Sequence, residues 1–320
     1  MALLEVEHLK KYFPVKKGLL KKTVGYYKAV QDVSFSIDAG ETFGLVGESG
    51  CGKTTVGKSV LRLLEPTGGT VRLDGEDITA MDREQLRRRR VKMQIIFQDP
   101  YSSLNPRMTV LQLIAEPLKE HGIVRGNRAL RDRVEEILLS VGLNTRDMEK
   151  YPHEFSGGQR QRIMIARALS MGPKLVVCDE PVSALDVSVQ AQILNLMQDL
   201  QEKLGVSYLF IAHGMPVVQH ISKRVGVMYL GSLAEVADRN EIFTHSAHPY
   251  TQALMSAVPN PDPSVPDDIK IIRGEVPDLI HLPEGCLFSN RCARCTKKCL
   301  EAAPALRQIA PGHLVACHNV

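Results

Sequence analysis

Thr42-Phe43-Gly44-Leu45-Val46-Gly47-Glu48-Ser49-Gly50-Cys51-Gly52-Lys53-Thr54 decides how this chain folds. Five residues of strand character run into a glycine-rich loop, and Thr54–Leu64 reads as a helix with Leu61 and Leu64 on its inward face. Residues Gly47 to Thr54 fit the phosphate-binding loop pattern at every required position and in the required strand-to-helix context. Glycines let backbone amides turn inward onto phosphate oxygens, and the helix N-terminus adds partial positive charge. Lys53 is expected to reach the β and γ phosphates and Thr54 to ligate Mg²⁺, with Thr55 beside it. Cys51 stands at a variable loop position and reads as packing.

Working outward, Val30–Ile37 alternates apolar and polar residues and reads as a strand. Val91–Phe97, Lys174–Cys178 and Ser207–Ile211 read as further strands, the last two apolar after their first residue, as in a buried parallel sheet. Residues 109–141 have helical periodicity, and Gln190–Lys203 reads as a helix. Strands alternating with helices predict an α/β fold with a mostly parallel core sheet. The helical stretch from about 99 to 170 interrupts that alternation and is expected to form a subdomain. Four prolines in Pro259–Pro266 predict a linker, taken as 256–270, between a main domain of residues 1–255 and a small tail of residues 271–320.

Composition narrows the function classes. The chain has 320 residues, 44% hydrophobic, with a net charge of only +4 from 40 basic and 36 acidic residues. That balance gives no reason to expect a nucleic-acid partner. Arg87–Arg90 reads as a solvated helix end, and Lys16, Lys17, Lys21 and Lys22 beside Gly18 and Gly25 read as a mobile basic loop. No apolar run approaches the ~18–20 residues that span a bilayer. The acidic start, with Glu5 and Glu7, predicts no signal peptide and a cytoplasmic location.

Leu175-Val176-Val177-Cys178-Asp179-Glu180 is an apolar strand ending in two carboxylates. Asp179 is suited to bind Mg²⁺ through water, and Glu180 to polarise the attacking water as general base. Phe155-Ser156-Gly157-Gly158-Gln159-Arg160 repeats the logic of the phosphate loop, with a hydroxyl and amides opening a helix at Gln159. This stretch resembles the signature motif of ATP-binding cassette (ABC) ATPases. In that family it meets the γ-phosphate on a partner's phosphate loop, which implies head-to-tail dimers. Phe97-Gln98-Asp99-Pro100 resembles the Q-loop, with Gln98 at Mg²⁺ and the γ-phosphate. Ser183-Ala184-Leu185-Asp186 resembles the D-loop, with Asp186 at the dimer seam. Phe210-Ile211-Ala212-His213 resembles the H-loop, with His213 on the γ-phosphate. Phe13, with Tyr12 as rival, resembles the aromatic that stacks on adenine. Two departures stand out. Gly214 and Met215 follow His213 where an acid is usual, and Lys223-Arg224 replaces the usual Asp-Arg.

Residues 98–107, 180–189 and His248-Pro249-Tyr250-Thr251-Gln252-Ala253-Leu254 are similar to the ATPases of dipeptide and oligopeptide ABC importers, most of all to the F-type subunit of dipeptide permeases. The resemblance spans essentially the whole chain. It implies a homologous ATPase partner, two transmembrane permease subunits, a peptide-binding protein, and a peripheral location on the inner face of the membrane. A related importer of nickel or another chelate, and a soluble ABC ATPase not coupled to transport, remain as alternatives.

Five of the seven cysteines, Cys286, Cys292, Cys295, Cys299 and Cys317, lie in the last 35 residues. In a reducing compartment such a group favours a metal, and spacing alone leaves zinc, an iron–sulfur cluster and free thiols open. The resemblance implies a [4Fe-4S] cluster on Cys286, Cys292, Cys299 and Cys317, with Cys295 off the pattern and zinc as the alternative. His313 and His318 read as exposed loop, or as substitute zinc ligands. A tail of this size has little core of its own, so a staple is expected to hold it.

Overall fold

A computed structural model describes residues 2–18, 21–258, 272 and 274–320. The proline-rich linker expected at Pro259–Pro266 lies outside the described residues. The chain packs into two compact units.

The first unit comprises Met1–Leu3, Ile37–Glu41 and Ala80–Ile211. Its strands Met93–Ile96, Leu175–Asp179 and Ser207–Ala212 run parallel, with Ile96 opposite Cys178 and Asp179 opposite Ile211. Leu175–Asp179 is buried throughout, which explains its unbroken apolar sequence. The stretch read as helical over 109–141 is two helices, Val110–Glu120 and Asn127–Ser140. The chain between them turns through Gly122 and Gly126, both at positive φ. Thr109 and Gln112 close a capping box at the start of the first, and Val110, Leu113, Ile114 and Leu118 form its buried stripe. Helices Gly157–Leu169 and Val187–Leu204 complete the layer.

The second unit comprises Leu4–Ser36, Thr42–Thr79 and Ala212–Val320. Ala2–Lys17 pairs antiparallel with Gly68–Leu73, setting Leu4 against Leu73 and Val6 against Val71. Thr42–Val46 pairs parallel with Arg224–Tyr229. Arg224–Tyr229 pairs antiparallel with Ser232–Asp238. The helix after the phosphate loop spans Lys53–Val60, shorter than the sequence predicts. Arg62, at φ +51°, turns the chain there, and its guanidinium bonds Glu65 and the carbonyl of Ile78. Lys16, Lys17 and Lys22 belong to long strands rather than a loop, so the basic cluster sits on a hairpin.

The C-terminal segment departs most from expectation. His313–Val315 adds to the edge of Ser232–Asp238, with Val315 opposite Glu235, and Arg307–Ala310 pairs beyond it. Ladder hydrogen bonds therefore supply order that the sequence reading assigned to a metal staple. His313, read as exposed loop, is buried, and its Nε2 donates to Glu235 Oε1 at 2.7 Å. Glu235 has no exposed surface and also accepts from the N–H groups of Ala247 (2.7 Å) and His248 (3.0 Å).

Removing one partner of a buried pair strands the other's charge, at a cost of about 3 kcal/mol. His313→Ala is expected to lower stability in urea unfolding by about that amount, while His313→Gln, which keeps a donor, loses less.

Candidate functional site

The phosphate loop depends on two close approaches. Gly47 has φ +153°, and a Cβ there would lie 2.1 Å from the carbonyl oxygen of Met228. Gly52 has φ +104°, and a Cβ there would lie 2.1 Å from the carbonyl oxygen of Ala29. Only glycine fits at either position. Lys53, 4% exposed, follows at the start of the helix. Its Nζ donates to the carbonyls of Gly47 (2.8 Å) and Glu48 (3.0 Å) and lies 3.4 Å from Nδ1 of His213. The ammonium is thus centred in the loop, and His213 is brought to it from a distant part of the sequence. Cys51 is buried, and burial pushes its thiol up from the usual range.

Glu48 is held at three points. Its N–H donates to the hydroxyl of Tyr250 at 2.9 Å. Its carbonyl accepts from Lys53. Its carboxylate Oε2 accepts from Nη1 of Arg291 at 2.9 Å. The same Nη1 lies 3.3 Å from the hydroxyl of Tyr229. Burial disfavours the charge on Arg291, but its bonds to Glu48 and Tyr229 outweigh that and raise its pKa. Phe288 packs edge-on to Tyr229 and tilted against Tyr250. Tyr250 opens the helix Pro249–Ser256, where the side chain of His248 accepts its N–H at 3.0 Å.

In the first unit, Asp179 and Glu180 stand buried at the end of their strand. Glu180 has φ +52°, a left-handed conformation that costs a non-glycine residue roughly 1–2 kcal/mol. Its N–H donates to the carbonyl of Ile211 at 3.0 Å, which secures the turn. Gln98 Nε2 donates to Glu180 Oε2 at 2.7 Å, so the residue expected to sense the γ-phosphate also orients the expected base.

The signature helix begins at Gly157, two residues earlier than expected. Ser156 and Gln159 form a reciprocal capping box, and Ser156 and Gln159 are both exposed. A Cβ on Gly158 would meet Cγ1 of Val189 at 2.6 Å, so that glycine lets the signature approach the helix Val187–Leu204. Asp186 caps this helix through the N–H of Val189 at 3.0 Å. That bond, with one from Ser188, holds its carboxyl below the usual range.

Tyr12 lines a cavity of about 840 Å³ in the second unit, together with Gln31, Tyr229, His248, Cys286 and Phe288. Phe13 is half-buried, with Lys11 Nζ 5.0 Å from its ring centre.

The tail cysteines gather in one neighbourhood. The N–H of Cys286 donates to the carbonyl of Cys299 at 2.8 Å, and the charges of Cys292, Cys299 and Cys317 act on Cys286. Yet among the described residues no three His, Cys, Asp or Glu side chains stand close enough to hold a metal ion. Burial pushes Cys286 up to about 11, which keeps it a neutral thiol. Cys299 Sγ lies 3.3 Å from the Thr296 hydroxyl, and Cys317 Sγ accepts from the N–H of Asn319 at 3.4 Å. The side chains as arranged do not fit the [4Fe-4S] cluster or the zinc site that the sequence reading expected. The histidines do not complete a site: His313 is taken by Glu235, and His318 Nε2 bonds the carbonyl of Ala302.

Arg291, Tyr250 and Glu235 received no individual role from the sequence. An acid inside a phosphate loop was the available signal, because it calls for a cation, but that cation lies 243 residues away.

A strand-loop-helix phosphate cradle, a carboxylate pair ending a buried strand and a signature helix whose N-terminal cap is open to solvent define an ATP-binding cassette. Residues 30–183 match the ABC transporter family model, and residues 234–299 match that of the oligopeptide/dipeptide transporter C-terminal region. The oligopeptide transport ATP-binding protein AppF of Bacillus subtilis is 49% identical over 319 residues, covering 99% of this chain and 97% of that protein. The putative oligopeptide transport ATP-binding protein YkfD of the same organism is 50% identical, covering 99% and 95%. Among solved structures, the dimeric post-hydrolysis state of the ATP-binding cassette MJ0796 bound to ADP and Pi aligns with a TM-score of 0.65 at 28% identity, covering 74% of this chain and 98% of that one. CbiO1 from Clostridium perfringens, part of the ABC transporter complex cbiONQ, gives 0.66 at 26% identity, covering 76% and 91%. The chain belongs to the ATP-binding protein family of oligopeptide ABC transporters.

Burial lowers the His248 pKa to about 4, although the charge of Glu235 opposes the shift. Between that value and the ~6.5 of an unfolded histidine, the unfolded chain binds more protons, so stability falls as pH falls through this window. Between pH 7 and pH 5 the loss from this residue is expected to be about 2 kcal/mol. Urea unfolding of His248→Asn, whose amide oxygen can accept the same Tyr250 N–H, is expected to lack that part of the decline.

Proposed function

We propose that this chain is the ATP-hydrolysing subunit that powers import of dipeptides and short oligopeptides across the cytoplasmic membrane. The observation that carries this reading is the direct hold of the C-terminal region on the phosphate loop, from Arg291 to Glu48. An ATPase whose nucleotide loop is bonded by the region that matches peptide transporters is suited to that task.

Mg–ATP is the substrate. Lys53 and the amides of Gly47–Thr54, with the helix dipole behind them, bind the β and γ phosphates. Thr55 follows in the same helix, and Phe13 or Tyr12 stacks on adenine. Thr54, Gln98 and Asp179 would hold Mg²⁺, which would supply positive charge to offset that of the phosphates. Glu180 takes a proton from the water whose oxygen attacks the γ-phosphorus, and ADP leaves as the bond to its β-phosphate oxygen breaks. Gln98 keeps the Glu180 carboxylate oriented, and His213 contacts the γ-phosphate.

Ser156, Gly157, Gly158 and Gln159 are open to solvent or partly so, which suits them to meet the nucleotide of a second, homologous ATPase subunit, with Asp186 at the seam. The dimeric state of the related cassette supports this arrangement. No helix among the described residues is long and apolar enough to cross a membrane. The path for the peptide therefore belongs to two permease subunits, supplied by a peptide-binding protein, with this chain peripheral on the inner face.

In the reconstituted transporter, Glu180→Gln is expected to cut ATP hydrolysis by roughly 10²- to 10⁴-fold while ATP binding persists, and to stop uptake of labelled peptide. Unchanged hydrolysis would remove Glu180 as the base. Uptake of nickel or another chelate in place of peptide would reassign the substrate.

A further inference from the structure

Glu48 poses an electrostatic problem. A carboxylate inside a loop that must accept phosphates repels them, and at short range in a partly buried site that repulsion is poorly screened. The fold answers it with Arg291. The Arg291 side chain is 9% exposed and that of Glu48 27%. Nη1 of Arg291 makes the polar contacts, to Glu48 Oε2 at 2.9 Å and to the Tyr229 hydroxyl at 3.3 Å, whereas its buried Nε has no acceptor. Among the described residues, Glu48 is therefore the one carboxylate on this guanidinium, with the Tyr229 hydroxyl beside it.

The segment that carries Arg291 is fixed in turn. It is the last residue of the short turn Ser289–Arg291, and its N–H donates to the carbonyl of Phe288 at 3.0 Å. Phe288 is buried against Tyr229 and Tyr250, and Tyr250 holds the N–H of Glu48. The side chain and the backbone of one loop residue are thus both gripped from this cluster.

We propose that Arg291 is a positioning residue of the nucleotide site: it draws the Glu48 carboxylate onto its guanidinium and cancels its charge, which lets an acid occupy the phosphate loop. This rests on the nucleotide-binding reading of the loop but not on the identity of the transported substrate.

The test measures nucleotide affinity of the full chain by titration calorimetry in the presence of Mg²⁺. Arg291→Ala is expected to weaken ATP binding about tenfold, ADP binding less, and adenosine binding not at all, because the defect scales with phosphate charge. In the double variant Arg291→Ala with Glu48→Gln, ATP affinity is expected to return to within about threefold of the original, since the uncancelled carboxylate is gone. A purely structural role for Arg291 moves all three ligands together and is not rescued by Glu48→Gln. Either that pattern or unchanged ATP affinity in Arg291→Ala overturns the proposal. Arg291→Gln, closer in size, takes the place of Arg291→Ala if the latter does not fold, with the same outcomes. Because no transport is measured, a failure here is distinct from a failure of the peptide-import reading.

Discussion

Two backbone carbonyls, of Ala29 and Met228, press so closely on Gly52 and Gly47 that any side chain there would collide with them. That contact shapes the loop around the Lys53 ammonium, and much of the second unit exists to maintain it. Ala29 comes from the long strand Lys22–Asp38, and Met228 from Arg224–Tyr229, which pairs with the strand leading into the loop. Tyr250 and Arg291 hold the one acidic residue in the loop from behind. The cradle is the meeting point of four separate segments, and its preorganisation comes from backbone packing more than from any single side chain.

The C-terminal region takes on a different meaning in this light. Its cysteines invite a metal, but its order derives from strand His313–Val315, the buried pair of His313 and Glu235, and the aromatic cluster around Phe288. These contacts connect the end of the chain to the phosphate loop through His248 and Tyr250.

Local motifs were legible in the sequence because their chemistry is local. The phosphate loop, the strand ending in Asp179 and Glu180, and the signature around Ser156 each carry their own flanks, and each appears as expected in kind. Boundaries were less legible. The helix after the loop stops at Val60, because a left-handed Arg62 is fixed by Glu65 and Ile78, which lie outside the helical pattern. Long-range pairs outside the motifs were not legible: Arg291 with Glu48 and His313 with Glu235 follow only from the fold. The cysteine spacing suggested ligands, but spacing does not fix where thiols point: Cys299 turns to Thr296 and Cys317 to Asn319.

If nucleotide chemistry in this chain drives peptide movement, hydrolysis and uptake are coupled. The most direct measurement is ATP hydrolysis by the complete transporter in sealed vesicles, with and without peptide-loaded binding protein on the outer side. Coupling requires that hydrolysis rise with peptide and that peptide accumulate inside. Hydrolysis indifferent to peptide, with no peptide accumulated, would contradict it.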